Sequence, residues 1–256
     1  MPSTINAGHT TRAIPQYSLA RVLAVWAAAA APMALLAWVV APAAAGPDPT
    51  ANRFAVTLII ALTAGLIWQC VLVLVLVGKE QGSLRWSVVR EALWLRAPSD
   101  HKGRRGGRLW WWTVPFILVL VARQFATSGL PAPSNRDFGE ILSSPSGQDL
   151  IRGDWGLFVL ILVMLLFNTV LGEELLFRGL LLPRMSGVFG RADWAANGVL
   201  MGLYHLHQPW GIPLSIIGGL LFAYPTKRFR SAWMGIIVHS TNSVVIAVLV
   251  FLLVIS

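Results

Sequence analysis

Apolar runs of about twenty residues recur along the chain with almost no charge inside them, and this limits the fold more than any other feature. A run of that length crosses a bilayer as a helix, because only there does the backbone satisfy its own hydrogen bonds without water. Runs at 19–41, 54–77, 109–126, 155–177, 195–207, 212–224 and 232–255 predict an all-α, polytopic transmembrane helix bundle of about seven spans, with six to eight allowed. The fifth and sixth are short and joined by Gln208, Pro209, Trp210, Gly211 and Pro213, which reads as a tight hairpin that stops short of full crossing. With 56% hydrophobic and only 12% charged residues, the 256-residue chain holds more apolar surface than one soluble core can bury. An ordinary soluble domain is excluded.

The basic residues fall between the runs, so they read as topology signals rather than as a nucleic-acid surface. On one side stand Arg12 and Arg21, the eight Lys and Arg from Lys79 to Arg108, then Arg178, Arg184, Arg191, Lys227, Arg228 and Arg230. The other side has Arg53, Arg136 and Arg152, and Arg123 is left inside the third run. Positive charge stays in the cytoplasm, so the N-terminus is expected there and the C-terminus outside, in a multi-pass plasma-membrane protein. The first run ends in Ala41-Pro-Ala-Ala-Ala45 and is expected to remain as an uncleaved anchor. Apolar residues alternating with Arg85, Arg90 and Arg96 over 83–96 predict an amphipathic helix on the inner leaflet, followed by a flexible basic loop that would attract anionic lipid. Cys70 is the only cysteine, which excludes an intrachain disulfide and a Cys-based zinc site. The Ala-, Arg- and Trp-rich composition suggests a bacterial source of high GC content.

Ionisable side chains inside a span are costly, and they mark function by default. Here Glu173 and Glu174 close the fourth run, His205 and His207 lie in the fifth, and His239, Asn242 and Ser243 lie in the seventh. Counted from the expected cytoplasmic ends, Glu173 is roughly 8 Å deep, His239 roughly 11 Å and His205 roughly 16 Å. The expectation is a buried site opening to the cytoplasm. Glu174 and Arg178 are four apart and can pair, whereas Glu173 is turned by about 100° and stays free. His205 and His207 are about 200° apart on one helix, so both reach a single site only if the helix breaks before Pro209. A carboxylate and an imidazole can share and deprotonate a water, and His239 with Asn242 could donate to an oxyanion. That chemistry is hydrolysis of an acyl bond. Glu and His are also metal ligands, but no His-Glu-x-x-His or Glu-x-x-His pattern is present, so no metal and no cofactor is expected.

Glu173-Glu174-Leu-Leu-Phe-Arg178 resembles the Glu-Glu-x-x-x-Arg motif of the CPBP group, also called the Abi family. That family contains the Ras-converting type of CAAX prenyl endopeptidase and bacterial homologues linked to bacteriocin processing or self-immunity. Met201-Gly-Leu-Tyr-His205 is similar to its Phe-x-x-x-His motif, with Met for the aromatic residue, and His239-Ser-Thr-Asn242-Ser243 is similar to His-x-x-x-Asn. The resemblance covers about 155–256, leaving 1–154 as an N-terminal transmembrane region that contains the basic loop 79–108. It implies a metal-free, glutamate-dependent intramembrane endopeptidase in which Glu173 and His205 activate water while His239 and the Asn hold the oxyanion. The substrate implied is a peptide or membrane-anchored protein, met from the cytoplasmic side. One departure stands out: the amide is three residues after His239 instead of four, and Ser243 holds the fourth place. That offset leaves a noncatalytic scaffold or immunity-like protein as the alternative, with a small-solute transporter third.

Overall fold

The structure, a computed structural model, describes residues 13–123 and 130–256. Arg12 and the last three residues of the third expected run lie outside the described residues. Among the described residues the chain is helical, apart from one isolated bridge between Ser99 and Arg105. The membrane-length helices are α1 (Leu19–Ala45), α2 (Ala51–Gln81), α7 (Trp155–Arg184) and α10 (Ala232–Ile255), the four long and apolar enough to cross a bilayer. Between them come α3 (Trp86–Ala92), α4 (Thr113–Arg123), α5 (Phe138–Ser143), α6 (Pro145–Ile151), α8 (Asp193–Tyr204) and α9 (Ile212–Phe229). Leu35, Trp38, Ile67, Val71, Val159, Leu166, Val248 and Leu252 point outward from the long helices, the apolar belt that lipid requires. The chain is an integral membrane protein.

Local chemistry explains how α1 tolerates Pro32. Proline has no N–H for the carbonyl of Ala28, four residues earlier. The indole nitrogen of Trp68 on α2 supplies it instead, at 2.8 Å. A wider π-helical turn over Leu36–Val40 follows, and the helix runs on to Ala45, past its expected end. In α7, π-helical turns span Phe167–Gly172 and Leu175–Leu181. This helix also outruns its expected end at residue 177 and closes with a 3₁₀ turn at Leu182–Arg184.

Two chemically different ends result. At the basic end, the Glu80 carboxylate accepts from Arg184 at 2.7 Å, from Arg21 at 2.9 Å and from the Tyr17 hydroxyl, tying α1, α2 and α7 together. Burial, and then the bond to Glu80, push the Tyr17 phenol up to about 12, so it remains a donor at any physiological pH. At the opposite end, Asp137 caps α5 and accepts from the Trp210 indole at 2.8 Å, while the Gly153 amide donates to the Val254 carbonyl at 3.0 Å.

Two expectations for 83–107 are corrected in part. Only Trp86–Ala92 is helical, and Val88, Val89, Ala92, Leu93 and Leu95 are buried in the protein core, while Leu84 and Trp86 stay exposed. The reason is the Trp94 carbonyl, which accepts from the Ala232 amide at 2.9 Å and pins the segment under the start of α10. The following basic loop is folded: Asp100 pairs with Arg104 at 2.7 Å, and the Asp100 and Gly106 amides donate within it.

The hairpin of α8 and α9 packs backbone against backbone. A Cβ added at Gly219 would lie 2.3 Å from the Gly198 carbonyl oxygen, so only glycine permits this approach. With 12 residues, α8 is about 18 Å long and ends inside the bundle.

Candidate active site

α7, the α8–α9 hairpin and α10 meet around the two glutamates. Between its π-helical turns α7 presents Glu173 and Glu174, 2% and 0% exposed. Glu174 faces the helices. Its Oε1 lies 3.5 Å from Arg178 Nη1 and 3.1 Å from His239 Nδ1, while Arg178 Nη2 donates to the Gly219 carbonyl at 2.9 Å. One carboxylate thus holds α7 to α10 and, through Arg178, to α9. Gly235 makes room for it, since a Cβ there would lie 2.7 Å from Glu174 Oε2.

Glu173 turns the other way, as the 100° offset predicts. Its Oε2 has no hydrogen-bond partner among the described residues. The side chain borders a cavity of about 190 Å³ whose wall also includes His205, His207, His239, Asn242 and Ser243. Every candidate from the sequence except Glu174 and Arg178 therefore reaches one space. With α7 longer than expected, Glu173 lies roughly 16 Å from the Arg184 end rather than roughly 8 Å, close to the depth of His205.

The two histidines are not in the fifth helix, which ends at Tyr204; His205 is its cap and His207 follows in the turn before Pro209. That break is why both reach the cavity, with their rings stacked at 5.3 Å. His205 Nδ1 lies 2.9 Å from the Met201 carbonyl oxygen. A carbonyl can only accept, so Nδ1 carries the proton and Nε2 holds the open lone pair. The same reasoning applies to His239: its Nδ1 donates to a carboxylate, so Nε2 is a donor only when the ring is an imidazolium. Phe222 stacks on the His239 ring at 4.4 Å between centroids.

Sequence reasoning passed over several residues. Asn168, one helical stretch before Glu173, lines the cavity. Gln69 is fully buried on α2 and donates to the Tyr204 hydroxyl at 2.6 Å, fixing the ring that packs against both histidines at 5.2 and 5.7 Å. A lone amide in an apolar run is the signal that could have found it. Arg123 and Gln208 also border the site. Among the described residues no three His, Cys, Asp or Glu side chains group as metal ligands.

Residues 154–245, which hold every candidate named from the sequence but not Gln69 or Arg123, match the family described as type II CAAX prenyl endopeptidase Rce1-like. Over this region the chain is similar to the Rce1-like family. The Rce1-like region runs from the start of α7 into α10, so the two glutamates, the turn with His205 and His207 and the His239 segment come from it, while Arg123 of α4 completes the wall and α1, α2 and α5 line the adjoining cavity. The expected resemblance to CAAX proteases is met over residues 154–245, in a chain with four membrane-length helices. No curated protein and no solved structure matches the chain.

Proposed function

We propose that the protein is an intramembrane endopeptidase in which Glu173 and His205 deprotonate a water that attacks a peptide carbonyl. One observation carries this reading: a carboxylate oxygen without a hydrogen-bond partner among the described residues and a histidine whose open nitrogen is Nε2 border one cavity. The water's proton passes to this pair and then to the leaving amine. Asn242 and Ser243 both border the cavity, so the oxyanion donor can come from either position despite the three-residue spacing from His239. His239 adds a third donor when its ring is charged. Purified protein should cleave quenched fluorescent peptides in the presence of a strong chelator, and His205→Ala should lower the rate by roughly 10²-fold. Cleavage that chelator abolishes and zinc restores would overturn the metal-free scheme.

The side of access is read against the first expectation. Cavities of about 240 and 800 Å³ share Gln208 and Ile246 with the site and are both walled by Phe138 at the end opposite the basic one. None of the three touches a residue of the basic end. Depth along a helix, which suggested a cytoplasmic opening, says nothing about where the mouth lies. With Lys79 to Arg108, Arg184, Arg191 and Lys227 to Arg230 held in the cytoplasm, the mouth faces outward, the N-terminus inward and the C-terminus outward. In a Cys70→Ala background, a cysteine at Gln148 should react with an impermeant thiol reagent on intact cells. Labelling only after permeabilisation would reverse the orientation.

A further inference from the structure

The cavity wall holds a cation, Arg123, with no carboxylate in ion-pair contact, although Glu173 and Asp137 border the same two spaces. Arg123, at the end of α4, lines both the 190 Å³ site and the 800 Å³ groove beside it. Its Nη1 donates to the Leu214 carbonyl at 3.0 Å, and its Nε is buried with no partner among the described residues. All eleven Asp and Glu of the chain are among the described residues, and none is in ion-pair contact with Arg123. Glu80, Glu91, Asp100, Asp149, Glu174 and Asp193 are each paired with other cations. Within a bundle this apolar, an arginine held by one carbonyl is costly to keep and is suited to an incoming anion.

We propose that Arg123 binds a carboxylate of the peptide substrate and so sets which bond lies over Glu173. This rests on the hydrolytic reading above. A guanidinium presents parallel donors that match a carboxylate's two oxygens, which fixes the orientation of a bound chain as well as its position. The adjoining groove, walled by Ile246, Leu249 and Leu253 of α10, would take apolar side chains next to that carboxylate. The ligand is therefore a peptide that combines a carboxylate with neighbouring apolar residues. Two sources supply such a group: the free C-terminus, or an internal Asp or Glu.

Binding separates these sources and does not depend on turnover. Three randomised fluorescent nonapeptide mixtures would be titrated against Glu173→Gln protein in detergent: one with a free C-terminal carboxylate, one amidated, and one amidated with a fixed internal Glu. One of the acidic mixtures should bind roughly ten- to a hundredfold more tightly than the neutral one, and the mixture that does so names the source. Adding Arg123→Gln should bring that ratio to about one, and Arg123→Lys should leave an intermediate value. A folding defect would weaken all three mixtures together and leave the ratio intact. Should Arg123→Gln fail to fold, esterifying the peptide carboxylate tests the same contact from the substrate side, with the same loss expected. Equal or absent binding of all three mixtures, or a preference that survives both Arg123→Gln and esterification, would overturn the proposal. If the acidic peptide binds but protein with Glu173 never cuts it, the hydrolytic reading fails and the anion site stands.

Discussion

Glu173→Gln protein should fold as well as the parent and cleave its substrate about a thousandfold more slowly. The amide keeps the volume and planarity of the carboxylate but cannot take a proton from water, and a positioned base contributes on the order of 10² to 10⁴ in rate. Folding should be spared because Oε2 of Glu173 has no protein partner to lose among the described residues. Burying an ionised carboxylate is itself unfavourable, so the amide should unfold at the same temperature or slightly higher. The checks are initial rates on a peptide that the parent cleaves, and thermal unfolding in the same detergent. A Glu173→Gln rate within tenfold of the parent would remove Glu173 from the chemistry.

The neighbouring residue should behave in the opposite way. Glu174→Ala strands the Arg178 guanidinium at 0% exposure, leaving it the hydrogen bonds to the Gly219 carbonyl and the Met201 sulfur and its place over the Phe222 ring. Breaking a buried pair by removing one partner costs about 3–5 kcal/mol, a large share of a membrane domain's stability. His239 loses its Nδ1 acceptor in the same step. Glu174→Ala should therefore lower the unfolding midpoint sharply and lose activity through the fold. Glu174→Leu combined with Arg178→Met should recover much of that stability without recovering activity, because apolar residues replace a buried pair at little cost. An unfolding midpoint for Glu174→Ala equal to the parent's would refute the clamp.

The contrast between these two glutamates is legible in the sequence, because helical geometry separates residues one apart by 100° and unites residues four apart. The membrane class is legible for a similar reason: lipid imposes a length and a composition that sequence records directly. Helix ends are not. Hydropathy treats Leu180, Leu181 and Leu182 alike whether they continue a helix or end it, and only the Arg184–Glu80 pair shows why α7 continues. The break that brings His205 and His207 together lies at Tyr204, five residues ahead of the proline that hints at it. Arg123 reads as a leftover charge because its meaning depends on which helices become neighbours. The buried face of Trp86–Ala92 is hidden for the same reason: an amphipathic pattern fits a protein core as well as a leaflet.

The short α8 has an electrical consequence. A bilayer's hydrocarbon is about 30 Å thick, yet the residues of α8 that precede the cavity-lining Met201, Asp193 to Leu200, span only about 12 Å. In the proposed hydrolysis, water reaching Glu173 would extend the conducting phase to the cavity floor, so the membrane potential would fall across the thinner layer beneath it. A full crossing of one charge is worth about 2.3 kcal/mol per 100 mV. A proton that moves between bulk water and the Glu173–His205 pair crosses part of that drop only if it travels through the thin layer. Protons exchanged through the wide mouth would move at nearly constant potential, leaving the chemistry insulated from the voltage of the membrane that contains it.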